Sequence, residues 1–280
     1  MKICRTVAEL QTAIKEVKDK QQTIGLVPTM GALHEGHKSL FVRARKENDV
    51  FVASVFVNPV QFNNKEDFEK YPRNEEKDLA FLDACGCDIV FVPTAEEVYK
   101  GQTPEHWSFG ALEQVMEGKQ RPGHFSGVAN IVSRLFKWTN ADRAYFGQKD
   151  YQQIAIIKDM VRQMNFPINI VECPIYREKD GLAASSRNAR LSKDARKIAP
   201  QIHAILTKSD EKKNTMTISE LKAYVENEFK KIKEFELEYF ILSDGETLQP
   251  IVERKENESV VGFVAVWLDG VRLIDIQKYW

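Results

Sequence analysis

His34 and His37 stand three residues apart in the run Pro28-Thr29-Met30-Gly31-Ala32-Leu33-His34-Glu35-Gly36-His37. On a helical turn that spacing projects both imidazole rings from one face. Gly36 between them removes a side chain where a flat base or a phosphate must approach the backbone. If the run opens a helix, its unpaired N–H groups add positive partial charge, and the rings can donate to phosphate oxygens as negative charge builds up there. The same spacing also suits two ordinary surface histidines. A metal site would need a third ligand that the neighbouring sequence does not supply.

A second run, Gly181-Leu182-Ala183-Ala184-Ser185-Ser186-Arg187-Asn188, has the composition of a phosphate loop. Its small residues let the backbone come close to a ligand. Its adjacent hydroxyls can donate to phosphate oxygens, and Arg187 can grip them with its planar fork. Alone, it would serve equally well as a helix N-cap beside a surface arginine.

Both runs need a scaffold. Up to about residue 175, short apolar runs alternate with longer periodic segments, the pattern of parallel strands joined by crossover helices. Strands are expected over 23–27, 50–57, 88–92, 143–146 and 169–173, and helices over 36–47, 75–84, 127–138 and 151–164. The fold class is α/β, a Rossmann-like doubly wound parallel sheet. The histidine run then falls just after a strand end, where open parallel sheets bind ligands. Beyond residue 188 the pattern changes to amphipathic helices over 192–206 and 218–233, then strands over 235–242 and 260–268. A tight Asp269-Gly270 turn leads into a last strand over 271–276. Residues 208–214 read as a charged, solvated loop. The division expected is a Rossmann-like domain over 1–176 and a small α+β C-terminal domain over 177–280, whose place beside the 181–188 loop suggests a lid.

Composition narrows the function classes. Lys plus Arg number 40 against 41 Asp plus Glu, a net charge of −1, which supplies no overall field for a nucleic acid. No stretch approaches the roughly 18 apolar residues of a membrane span. Cys4, Cys85, Cys87 and Cys173 are too scattered for a disulfide framework, and Cys85-Gly86-Cys87 lacks a second pair for zinc. Free thiols in a reducing cytoplasm are expected.

The paired runs resemble the nucleotidylyl-transferase superfamily. Six motifs in order narrow that resemblance to the pantothenate synthetase, or pantoate–β-alanine ligase, family. They are the 28–37 run, Val57-Asn58-Pro59-Val60-Gln61-Phe62, Tyr71-Pro72-Arg73, Arg121-Pro122-Gly123-His124-Phe125, Phe146-Gly147-Gln148-Lys149-Asp150-Tyr151-Gln152-Gln153 and Arg177-Glu178-Lys179-Asp180-Gly181-Leu182. The resemblance implies an ATP-dependent ligase that condenses pantoate with β-alanine through a pantoyl adenylate, releasing AMP and pyrophosphate. A nucleotidyltransferase of the same superfamily is the alternative, but it needs extra basic residues where these motifs offer Gln61 and Gln153. A tRNA-binding module and a nucleotide-sensing protein are further alternatives.

Site roles follow from the resemblance by position. Met30, Gly31, Ala32, Leu33, His34, Glu35, Gly36 and His37 would line the ATP site, with His37 as catalytic proton donor and His34 on the phosphates. Gly147, Gln148, Lys149 and Asp150 would form a second ATP segment, Lys149 reaching the phosphates and Asp150 the ribose. Ala184, Ser185, Ser186 and Arg187 would form a third, with Tyr176 also at the nucleotide. His34, His37, Lys149 and Arg187 are the expected catalytic set. Gln61 and Gln153 would hold pantoate, Gln61 also facing β-alanine. Asp78 is expected beside magnesium (Mg2+), and Glu117 and Arg121 near the substrate entrance or in a surface ion pair. A homodimer is implied as well. Ala184 and Tyr176 depart from the family's usual Met or Leu and Val, and Lys77 from an acidic residue.

Overall fold

The computed structural model describes residues 1–101 and 103–280. The chain divides into two compact units. The first comprises residues 1–109, 121–148 and 153–174, and the second residues 110–120, 149–152 and 175–280. The second unit, expected from residue 177 onward, thus also takes in two short segments from the middle of the chain.

In order the elements are β1 (Lys2–Cys4), α1 (Val7–Asp19), β2 (Ile24–Thr29), α2 (Glu35–Glu47), β3 (Val50–Val55), α3 (Lys65–Glu69), α4 (Glu75–Ala84), β4 (Ile89–Phe91), α5 (Ala95–Tyr99), α6 (Met116–Gln120), α7 (His124–Thr139), β5 (Arg143–Gly147), α8 (Tyr151–Met164) and β6 (Asn169–Cys173). There follow α9 (Lys193–Ile198), α10 (Gln201–Asp210), α11 (Ile218–Lys230), β7 (Phe235–Asp244), β8 (Val260–Leu268) and β9 (Val271–Lys278).

The first unit is built on a parallel sheet in the order β1-β4-β3-β2-β5-β6. From β2 the chain winds outward through β3 and β4, then returns across β2 to β5 and β6. The strand order therefore reverses between β2 and β5, the place where a doubly wound sheet opens a ligand crevice at its carboxyl edge. A proline widens that opening. Pairing of β2 with β3 runs as far as Thr29 and Val55, whereas pairing of β2 with β5 reaches only Leu26 and Ala144. Pro28, with no N–H to give, lies beyond the last rung with β5. On one face Phe41 and Ala44 of α2 pack fully buried with Val27, Phe51, Val90 and Tyr145.

Neither β1 nor α1 is among the elements expected above. Three residues of β1 are too few for a period, but α1 carries a readable signal: Thr6 and Glu9 form a capping box before the buried stripe Leu10, Ala13, Ile14 and Val17.

The second unit has an antiparallel sheet, β7-β8-β9, with Asp269 and Gly270 both in the left-handed region (φ 54° and 68°) at the last turn. Leu206, Leu221, Val225 and Phe229 pack with Val260, Val264 and Val266 in its core. The helix expected over 192–206 is two helices, α9 and α10, divided at Pro200. The loop expected over 208–214 is helical as far as Asp210. Ser209 is fully buried there, its hydroxyl 2.6 Å from that of Tyr279.

Candidate active site

The 30–37 loop leaves the carboxyl end of β2, beside the strand-order reversal. Its first turn is held from both sides. The Thr29 hydroxyl donates to the Ser54 carbonyl (2.7 Å) and accepts from the N–H of Gly31 (3.2 Å). Gly31 and Ala32 both take positive φ, 77° and 50°. A Cβ on Gly31 would lie 2.8 Å from Oδ2 of Asp78 and 3.2 Å from Val55 Cγ1, so glycine is required for space as well as conformation.

Asp78, on α4, is 4% exposed and spends its carboxylate on this loop. Oδ2 accepts from the N–H of Ala32 (2.9 Å) and Oδ1 from the N–H of Leu33 (2.8 Å). The residue expected beside magnesium is thus a clasp that shapes the loop. Magnesium favours octahedral oxygen sites rich in water and phosphate. A buried carboxylate with both oxygens committed to amides does not fit that preference. Among the described residues, no group of three or more His, Cys, Asp or Glu side chains is arranged to hold a metal ion. Asp78→Asn, which replaces one acceptor by an N–H donor facing the loop, is expected to raise the KM for ATP at least about tenfold. The concentration of magnesium that half-saturates turnover should stay within about a factor of two, and a larger rise would return Asp78 to the metal.

Two imidazoles close the loop into α2. His34 is the N-cap, its Nδ1 accepting from the N–H of Gly36 (3.1 Å), and Nδ1 of His37 accepts from the N–H of His34 (3.3 Å). The result is a reciprocal capping box made of rings instead of Ser and Glu. The ring centroids are 4.1 Å apart, and His37 stacks on Phe41 at 6.3 Å. The two rings are neighbours as expected, but His34 is extended and stands ahead of α2 as its cap, whereas the spacing places both rings on one helical turn.

Gln61 ends the short 3₁₀ turn Pro59–Gln61 and is 6% exposed. Its Nε2 lies 2.9 Å from the Met30 sulfur, so two residues chosen from separate motifs meet. The turn beneath it is fixed by Asn58, Tyr99, His124 and Gly127, none of them among the expected site residues, and by Arg121, expected near the substrate entrance or in a surface ion pair. Asn58 caps it, donates to the Gly127 carbonyl (2.9 Å) and accepts from the Tyr99 hydroxyl (2.7 Å). Burial pushes the Tyr99 phenol up to about 12. His124 Nδ1 lies 2.8 Å from the Gln61 carbonyl, which only accepts, so that nitrogen carries the proton. Arg121 donates to its other nitrogen at 3.2 Å. A Cβ on Gly127 would lie 2.5 Å from Gln61 Cα, so α7 can lie against this turn only with glycine there. The readable signal was Asn-Pro, a turn opener, together with the 121–125 motif.

At the end of β5, Gln148 donates from Nε2 to Glu172 (2.9 Å), which Lys158 holds at 2.6 Å. Gln153 is half-buried on the first turn of α8.

The remaining expected residues belong to the second unit. Lys149 lies 3.2 and 3.3 Å from the two oxygens of Asp150. Tyr176 is 39% exposed, and its carbonyl accepts from the N–H of Ala184 (3.0 Å). With the Arg177–Ala183 bridge this bond makes a small hairpin leading to Ser185. The Ser185 hydroxyl caps the 3₁₀ turn Ser186–Arg190, accepting from the N–H of Arg187 (3.3 Å). The side chain of Arg187 is half-buried. Arg177 anchors the hairpin to β9 by a two-point pair with Asp275 (2.7 and 3.0 Å). Beside it His203 is held below the usual imidazole range by burial and by the Arg177 charge. Glu117 lies well inside this unit. Its carboxylate takes both terminal nitrogens of Arg272 at 2.7 Å and the Tyr239 hydroxyl at 2.6 Å.

A doubly wound parallel sheet whose reversal point carries a helix-opening loop with two imidazoles is the frame of an α/β nucleotide-handling enzyme. The family model described as Pantoate-beta-alanine ligase matches residues 2–278, and the chain belongs to that family. It is 49% identical to a pantothenate synthetase of Bacteroides fragilis over 279 residues, covering 100% of this chain and 99% of that one. The crystal structure of pantothenate synthetase from Thermus thermophilus is similar at 41% identity and TM-score 0.93, each chain covered in full. A pantoate–β-alanine ligase from Francisella tularensis, complexed with β-γ ATP and β-alanine, is similar at 34% identity and TM-score 0.84, covering 100% of this chain and 98% of that one.

Proposed function

We propose that this chain, as a pantoate–β-alanine ligase, condenses pantoate with β-alanine at the expense of ATP through a pantoyl adenylate. The observation that carries the reading is family membership along nearly the whole chain, with the imidazole loop at the strand-order reversal. In the first step the pantoate carboxylate attacks the α-phosphorus and pyrophosphate leaves. Two anions must meet, so donors and cations aimed at the developing charge lower the barrier. The 30–37 loop, Gly147, Gln148 and Asp150, together with Tyr176 and residues 184–187, are assigned to ATP. Within them His34, His37, Lys149 and Arg187 are the groups that stabilise charge. Gln61 and Gln153 are assigned to pantoate, because neutral amides orient hydroxyls without neutralising the nucleophilic carboxylate. Magnesium arrives on the nucleotide as part of the substrate, held by triphosphate oxygens and water.

In the second step the uncharged amine of β-alanine attacks the adenylate and AMP leaves. The test supplies pantoate, ATP and a series of amines, and measures AMP and amide together. β-Alanine alone should yield both, and [¹⁸O]carboxylate-labelled pantoate should pass one label into AMP. AMP formed without label would remove the adenylate from the scheme.

No helix among the described residues is long and apolar enough to cross a membrane, and all four cysteines are free. Those thiols support the reducing cytoplasm as the working compartment. The homodimer is retained as part of this reading, and light scattering tests it.

A further inference from the structure

We propose that His34 and His37 serve the first step as neutral imidazoles, each with its proton on Nε2, and that neither delivers a proton to the reaction. The inference rests on the assignment of the 30–37 loop to the nucleotide, and it changes the role expected of His37 from proton donor to hydrogen-bond donor.

Each Nδ1 accepts a backbone N–H, His34 from Gly36 and His37 from His34. A ring nitrogen that accepts through its lone pair carries no hydrogen, so the single proton of each neutral ring sits on Nε2. A second proton on either ring would set N–H against N–H and undo the cap of α2. The surroundings resist that proton in other ways. The start of α2 is a region of positive partial charge. The two rings are 4.1 Å apart at their centroids, too close for two cations. Asp78 of α4 accepts from the Ala32 and Leu33 amides, and Glu35 pairs with Lys38 at 3.3 Å.

The chemistry requires no more. Attack of the pantoate carboxylate forms one O–P bond and breaks the bond from the α-phosphorus to the bridging oxygen. That oxygen departs on pyrophosphate with the electron pair, and no proton enters or leaves. Two fixed N–H donors stabilise the charge on the phosphate oxygens, as a neutral imidazole donor does where a helix start keeps it uncharged.

The experiment is ring ¹H–¹⁵N correlation on the full chain carrying ¹⁵N-labelled histidine. The five histidines are assigned by single substitutions. At neutral pH, Nδ1 of His34 and His37 should appear unprotonated and Nε2 protonated, and a non-hydrolysable ATP analogue should move the Nε2–H signals while leaving Nδ1 unprotonated. A protonated Nδ1 on either ring overturns the proposal. The expected ring states without any response to the nucleotide would overturn the loop assignment, and the proposal with it. Two substitutions divide the ring's functions. In His37→Asn the amide oxygen stands near Nδ1 and keeps the cap, whereas in His37→Gln the amide nitrogen stands near Nε2 and keeps the donor. His37→Asn should melt near the parent and lose turnover at least about a hundredfold. His37→Gln should melt lower yet turn over at least about tenfold faster than His37→Asn, and the reverse order in turnover would overturn the proposal.

Discussion

Lys149→Ala is expected to lower kcat/KM for ATP by at least about a hundredfold with the chain still folded, the scale of deleting one preorganised stabiliser of transition-state charge. The effect has two parts. One is the loss of an ammonium from a reaction in which a carboxylate meets a triphosphate. The other is the carboxylate left behind, because the Lys149 ammonium lies against both oxygens of Asp150 and masks that charge. Asp150→Asn in the Lys149→Ala background should therefore recover part of the loss, at least about threefold, by removing an uncompensated anion. Steady-state kinetics on the four proteins form a double-mutant cycle. Near-normal turnover in folded Lys149→Ala would remove the lysine from the mechanism.

Arg177→Ala is expected to cost roughly 3–5 kcal/mol of stability, because it strands a buried carboxylate. The side chain of Asp275 is 3% exposed, and without the guanidinium its carboxylate keeps the N–H of Ile276 at 2.8 Å and no counter-charge from Arg177. Arg177 also donates to the Gly181 carbonyl (3.2 Å), so the hairpin leading to Ser185 loses its anchor as well. The measurement is urea unfolding, with the midpoint falling at an unchanged slope. Replacing both partners by methionine should recover most of the loss, since an apolar pair leaves no charge unpaired. If the single and double substitutions were equally destabilised, the cost would lie in lost packing instead of the stranded carboxylate.

The sequence made the parallel sheet readable because its strands are continuous apolar runs and its helices keep their period. It made the 30–37 loop readable because a strand end, two glycines and two histidines fall within ten residues. What each residue does there was less accessible. Asp78 sits 45 residues from Leu33, and nothing in the neighbourhood of either indicates that one accepts from the other's backbone. The support of Gln61 was hidden for the same reason: Tyr99, His124 and Gly127 come from distant places, and their roles exist only once α7 lies against the 3₁₀ turn. Arg177 read as part of a motif, although its partner is in the last strand. The charged stretch after residue 208 read as loop because its lysines dominate the composition, while the one buried hydroxyl, Ser209, is too small a signal to reverse that. Local rules recover elements, and pairings across the chain need the folded molecule.

The contrast between the two sheets has a bearing on time. Lys2 of β1 pairs with Ile89 of β4, so the first unit cannot complete its edge until a long stretch of chain has been drawn together. In β7-β8-β9 each strand pairs with its neighbour in sequence, and Asp269-Gly270 closes the last hairpin in two residues. Closing a long loop loses more entropy before any contact compensates for it, and proteins dominated by such contacts fold slowly. The carboxyl-terminal hairpin is thus suited to form early in refolding, with the parallel sheet maturing as the slower phase.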